Sequence, residues 1–337
     1  MSNVKWQMVN GKWKNGKCEM EKESLRIIYM GTPDFAVEPL RRLVEGGYNI
    51  VAVITMPDKP VGRHHDVLQQ SPVKQYAVAH AIPVLQPERL KDEAFLEQLR
   101  CYQADLQVVV AFRMLPEVVW SMPRLGTFNL HAALLPQYRG AAPINWAIIN
   151  GDKETGITTF FLDHDIDTGQ VIYREAVPIY EEDDVEAVHD RLMVLGAELV
   201  LRTVDDVARG AVHPISQSEL TVDTPLRPAP KIFKETCQIR WNELTARQVY
   251  NFVRGLSPYP AAWTTLSGTM LKIYQCRIVN EASKAIPGSI DTDGKSYLRI
   301  ACREGWIEVV SLQLAGKRRM PTEDFLRGAH ISAECVI

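Results

Sequence analysis

Asn129, His131 and one aspartate among Asp163, Asp165 and Asp167 are the side chains of this sequence that together could run an acyl transfer. Asn129-Leu130-His131 ends the apolar run GTFNLH (126–131), and the three aspartates sit in the acidic turn DHDIDTG (163–169) after a further strand signal. Acyl transfer to an amine needs a donor for the developing oxyanion, a group that manages a proton and a charge that tunes it. An amide, an imidazole and a carboxylate are those three groups. Each has a plainer reading taken singly: His131 as a core residue, Asn129 as a partner for turn backbone, Asp163, Asp165 and Asp167 as turn caps. Their placement favours chemistry. An N-x-H at a strand's carboxyl end, with the aspartate turn beyond the next strand, brings all three to one rim of a sheet.

The acidic turn also invites a metal reading, which its spacing rejects. Asp163, Asp165 and Asp167 match the first three ligand positions of a calcium loop, but the glycine comes one place late, at Gly169, and Arg174 stands where a bidentate Glu is required. No metal is expected.

Such a rim needs a sheet to carry it. LRIIYM (25–30), YNIVAVIT, LQVVVAF (106–112) and GTFNLH read as strands. The helical patterns DFAVEPLRRLVEGG, SPVKQYAVAHA with a serine cap, and PERLKDEAFLEQLR lie between them. TGITTFFLDH and QVIYREAVPI add two strands, and a helix over about 184–209 closes the unit. This alternation predicts an α/β, Rossmann-like, mostly parallel sheet with helices on both faces. The first turn reads GTPDFA, without the second and third glycines of a dinucleotide fingerprint, so NAD and FAD are not expected. Residues 25–213 form the expected catalytic domain. SQSELTVDTPLRPAPK makes 214–230 a linker, and the short strands TMLKIYQCRIV, SYLRIACREG and WIEVVSLQLAG predict a small β-barrel, OB-like, over 231–337. Residues 1–24 read as a disordered tail or a start assigned too far upstream, with Met20 the alternative.

Composition sets outer limits. The 337 residues are 46% hydrophobic and 23% charged, ordinary for a globular protein. No run of 18 apolar residues offers a membrane span. Six scattered cysteines (18, 101, 237, 276, 302, 335) suit a reducing cytosol. Of 38 Lys+Arg and 41 Asp+Glu, residues 229–337 hold 15 and 10, which leaves 23 and 31 for residues 1–228. A basic second part points to a polyanionic partner. Without heptads, a monomer is expected.

The run FNLHAALLPQYRGAAPINWAI with DIDTG downstream resembles the 10-formyltetrahydrofolate-dependent formyltransferases. MGTPDFAVEPL, MPDKPVGR, SPVK, GLSPYPAAWTTL and LAGKRRM narrow the resemblance to the members that formylate initiator methionyl-tRNA, and it spans about residues 25–330. It implies 10-formyltetrahydrofolate as donor, initiator methionyl-tRNA as partner and a bacterial-type cytoplasmic enzyme. Asn129 would donate to the formyl oxygen, His131 would pass a proton, and Asp167 would hold the imidazole. Ala133, Leu134, Leu135 and Pro136, with Phe112 and Leu115, would line the folate site. Arg63, His64, His65, Lys231, Lys234, Lys317, Arg318 and Arg319 would meet the tRNA. Two departures stand out: Ala133 replaces the usual Ser, and the loop HHDVLQQ lacks the usual glycines and lysines, so that either tRNA docking is weaker or more pH-sensitive or neighbouring basic residues compensate. The rival within the resemblance is a sugar-nucleotide N-formyltransferase. From a different class comes a folate- or RNA-binding protein without catalysis.

Overall fold

A computed structural model describes residues 7–9, 12–14, 22–61, 67–221, 224–279, 282, 284–328 and 331. The chain divides into two compact units, the first comprising Met1–His131, Ile157–Arg174 and Met193–Thr221, the second Ala132–Gly156, Glu175–Leu192 and Val222–Ile337.

A seven-stranded sheet dominates the first unit. Its strands are β1 (Arg26–Gly31), β2 (Asn49–Ile54), β3 (Val84–Leu85), β4 (Leu106–Val110), β5 (Thr127–His131), β6 (Glu154–Phe161) and β7 (Val171–Pro178), in the order β7-β6-β5-β4-β1-β2-β3. The β1–β2, β1–β4, β2–β3 and β4–β5 pairs are parallel, and β5–β6 is antiparallel. All five residues of β4 are buried, as a strand covered on both faces requires. The chain order reverses between β1 and β4, and the crevice beyond the carboxyl ends at such a switch point is where these sheets receive ligands.

Helices α1 (Val37–Glu45), α2 (Pro72–Ala79) and α3 (Glu93–Cys101) form where the periodicity predicts them. Ser71 caps α2, its side chain accepting from the Lys74 N–H at 3.1 Å. Phe95, Leu96 and Leu99 of α3 pack with Ile28, Met30, Ile54 and Val109 in one apolar cluster. The sequence run MPD…SPVK proves to be an internal polar network: Lys74 pairs with Asp58 at 2.5 Å, and Gln86 donates to the same carboxylate at 2.8 Å. The residues expected as a tail include a paired ribbon, Gln7–Val9 with Lys12–Lys14.

The second unit is built on a curled antiparallel sheet. Its strands are β8 (Ala262–Leu266), β9 (Thr269–Val279), β10 (Ile290–Thr292), β11 (Leu298–Ala301) and β12 (Trp306–Leu314), with β13 (Met320–Pro321) paired to β12. Burial alternates along β8, the period-2 pattern of a half-covered strand. A helix, Ala246–Arg254, closes the sheet's inner face with Val249 and Val253, and a capping box of Thr245 and Gln248 starts it.

The expected linker is docked along much of its length. In the first unit, Ile215 and Val171 exchange two backbone hydrogen bonds, at 2.8 and 2.9 Å. In the second, Tyr138 N–H donates to the Arg227 carbonyl, Ala229 N–H to the Arg139 carbonyl and Ala141 N–H to the Ala229 carbonyl, at 2.7–2.8 Å. Gly140, at φ +128°, allows this approach, because a Cβ there would overlap the Ala229 carbonyl oxygen. The Tyr138-Arg139-Gly140 turn is therefore the seat of the linker. Tyr138 Oη donates to Asp152 at 2.5 Å, and Arg227 pairs with the same carboxylate at 2.9 Å.

Candidate active site

The site grows from the carboxyl end of β5. Residues two apart on a strand share a face, so Asn129 and His131 point the same way. Leu130 and its cross-strand partner Thr159 point to the other face, where Thr159 Oγ1 bonds Thr203 Oγ1 at 3.0 Å. Thr203 belongs to the long helix Val185–Ala208, so that helix covers the face turned away from the imidazole. On the imidazole's own face Asn129 lies opposite Phe160 and His131 opposite Thr158. The Phe160 ring meets His131 edge-on at 6.5 Å between centroids. Asn129 is half-buried and His131 is 6% exposed, so the imidazole stands in a largely water-excluded setting.

Asp167 reaches the same place from the turn between β6 and β7. Its Oδ2 lies 3.8 Å from His131 Nδ1, longer than a formed hydrogen bond but within ion-pair range. The turn is firmly made. Asp163 accepts from the His164 N–H at 2.7 Å, Thr168 Oγ1 donates to the Asp165 carbonyl at 3.1 Å, and Asp167 adopts φ +54°. Asp163 therefore caps the turn, while the Asp167 carboxylate faces the imidazole. Gly169 closes the turn against β6, where a Cβ would overlap the Phe161 carbonyl oxygen. Gly169→Ala is expected to destabilise the protein by about 3 kcal/mol through that overpacking, read as a lower urea midpoint. A midpoint equal to the parent's would refute this account of the turn.

The residues expected at a folate wall divide. Phe112 is half-buried beside the apolar core, and Leu115 lies within that core at 7% exposure. Their neighbour Met114 is 72% exposed. Met114, Arg113 and Pro116 line a cavity of about 550 Å³ with Leu90, Leu96 and Val118. Arg113 is anchored there by donating to the carbonyls of Glu88 and Pro87, and burial lowers its pKa. In the second unit Ala133 and Leu135 are fully buried, Pro136 is buried after a cis peptide bond, and Leu134 is half-buried.

The expected tRNA contacts divide as well. Arg63, His64 and His65 lie outside the described residues. Lys231 and Lys234 line a cavity of about 490 Å³ in the second unit, together with Lys272, Phe233, Tyr259 and Trp263. Phe233 and Tyr259 are 56% and 81% exposed, and Lys231 lies over the Phe233 ring at 5.5 Å. Lys272 was missed because it sits mid-strand on β9, where a lysine in an alternating pattern reads only as the outward face. Trp241 is a core residue at 4% exposure, whereas Trp263 lines this cavity. Lys317, Arg318 and Arg319 are exposed, but Arg319 is already engaged, over the Tyr274 ring at 4.4 Å and on Ser311 at 3.0 Å. It lines a separate cavity of about 160 Å³.

Among the described residues, no three His, Cys, Asp or Glu side chains gather as a metal site, and no helix is long and apolar enough to cross a membrane.

Comparison with known proteins finds two family models along the chain. Residues 25–204 match the family model described as formyl transferase, and residues 231–330 the formyl transferase C-terminal domain. A methionyl-tRNA formyltransferase of Bacteroides thetaiotaomicron is 62% identical over 318 residues, 93% of this chain and 98% of its own. One from Parabacteroides distasonis is 63% identical over 324 residues, 94% of this chain and all of its own. Among solved structures, the sugar 3N-formyl transferase WlaRD aligns with a TM-score of 0.62 at 17% identity, over 87% of this chain and 99% of its own, a likeness of fold.

Proposed function

The chain belongs to the formyl transferase family, and from that premise we propose that it transfers the formyl group of 10-formyltetrahydrofolate to the α-amine of initiator methionyl-tRNA. The amine's lone pair forms the new C–N bond, the bond from the formyl carbon to N10 breaks, and one proton passes from the amine to N10. Asn129 donates to the formyl oxygen as negative charge builds on it. His131, with Nδ1 turned to Asp167 at 3.8 Å, carries the proton on its other ring nitrogen. Asp167 stabilises the imidazolium that forms in passing. An oxyanion donor of this kind contributes about 3 kcal/mol. The observation that carries the reading is the Asn129–His131–Asp167 group at the carboxyl rim of the sheet.

The loop after β4, where exposed Met114 lines an apolar cavity with Leu90, Leu96 and Val118, supports a place there for the donor's ring system. The relatives named for methionyl-tRNA favour tRNA as acceptor over a sugar nucleotide. The cavity of Lys231, Lys234 and Lys272 with Phe233 and Tyr259 supports it, since lysines meet phosphates and exposed rings stack on unpaired bases. Formyl transfer should be measured with methionyl initiator tRNA and with an amino-sugar nucleotide as competing acceptors. Transfer to the sugar alone would overturn the acceptor, and transfer to neither would overturn the activity.

The lysine cavity makes a separate prediction. Replacing Lys231, Lys234 and Lys272 together by alanine is expected to raise the KM for tRNA about 30-fold and to flatten its log–log salt dependence by about 2, at roughly 0.7 per phosphate of a single strand. kcat should stay within about twofold, because phosphate contacts position without touching the chemistry. An unchanged salt slope would remove these lysines from the tRNA path.

A further inference from the structure

The geometry points to Gln217 as a positioning residue for Asp167: its buried amide fixes the turn that presents the carboxylate to His131. This inference rests on the formyl-transfer reading of the site. Gln217 is 5% exposed, and its Nε2 donates to the carbonyl oxygens of Asp167 at 2.8 Å and Gly169 at 2.9 Å. Both hydrogens of one amide are thereby spent on either side of the residue that must be held. Asp167 is in the left-handed region, at φ +54°, a conformation that a non-glycine side chain keeps only where its surroundings impose it.

Gln217 is itself held from both directions. Ile215, two residues before it, is locked to Val171 by a pair of backbone hydrogen bonds at 2.8 and 2.9 Å. Gln217 opens a short 3-10 turn, Gln217–Glu219, capped by the Ser216 side chain. Through Ile215 and Gln217, the first residues of the expected linker brace the far side of the catalytic turn. The residue type fits the task. A carboxamide brings two N–H donors to two carbonyls, a carboxylate brings none at neutral pH, and asparagine is one methylene too short to reach both. With His131 Nδ1 already 3.8 Å from Asp167 Oδ2, a relaxation of about 1 Å would carry the carboxylate out of reach.

The test is a kinetic cycle on the full-length protein. Gln217→Met keeps the length and removes both donors. It is expected to lower kcat about tenfold, with the KM values for tRNA and 10-formyltetrahydrofolate within about twofold. In an Asp167→Ala background the same change should cost less than about twofold, because Gln217 acts only through Asp167. Gln217→Asn, which returns the amide on an arm that reaches only one of the two carbonyls, should recover part of the loss. The His131 ring signals in a ¹⁵N NMR spectrum should move in Gln217→Met in the direction they move in Asp167→Ala. A parental kcat in Gln217→Met, or the same tenfold loss with and without Asp167, overturns the proposal. If Gln217→Met does not fold, Gln217→Asn carries the cycle: its smaller loss of kcat should likewise vanish in the Asp167→Ala background, and a parental kcat or an undiminished loss there overturns the proposal. If the parent protein transfers no formyl group, the reading of the site fails, yet the His131 signals still decide whether Gln217 and His131 are coupled.

Discussion

His131→Ala is expected to lower kcat for formyl transfer about 1,000-fold, within the range that a positioned proton-transfer group contributes, while donor binding changes by less than about threefold. The argument is positional. His131 ends β5 at 6% exposure, with Asp167 on the Nδ1 side and Phe160 edge-on. A buried imidazole facing a carboxylate can accept a proton from the attacking amine and return it to the leaving nitrogen, and alanine can do neither. His131 is also packed, so the alanine variant loses stability, and the comparison must be made below both melting temperatures. His131→Gln separates the two effects, since it fills much of the same volume and can hydrogen-bond but cannot shuttle a proton. Both variants should be nearly inactive while only alanine melts markedly earlier. A His131→Gln enzyme within tenfold of the parent would return His131 to the plainer role of a core side chain.

How much of this was legible in the sequence differs by level. The parallel sheet was readable because β4 and its neighbours are buried on both faces and leave nearly unbroken apolar runs. The Asn129-x-His131 pair was readable because period 2 fixes its shared face. Asp167 could be singled out from Asp163 and Asp165 only by resemblance. What separates them physically is one left-handed residue and a cap on Asp163, neither of which has a composition signature. The seating of the linker was not legible because its attachments at Arg227 and Ala229 are backbone hydrogen bonds, which are blind to residue type. Gln217 was invisible for a related reason: a glutamine in a Ser- and Thr-rich stretch declares no partner until the chain folds back on the turn. Leu115 and Met114 show a finer limit, for in a loop without periodicity nothing tells which of two adjacent apolar residues turns inward.

Asn129→Asp should be the most damaging single change of similar size, lowering kcat by more than about 1,000-fold where Asn129→Ala costs about 100- to 1,000-fold. The two variants lose the same donor, but aspartate also sets a negative charge against the oxygen that becomes negative. Asn129 is half-buried on β5 between Val109 and Phe160, where water screens little of that repulsion. Folate binding should survive in both, because the donor's uncharged carbonyl meets far less repulsion than the developing oxyanion, so the loss belongs in kcat. Combining Asn129→Ala with His131→Ala should cost little beyond the worse single change, since one group stabilises the charge that the other's proton transfer allows to form. Fully multiplied losses in the double variant would mean that the two act at separate steps. Equal activity of Asn129→Asp and Asn129→Ala would mean that Asn129 faces no developing charge at all.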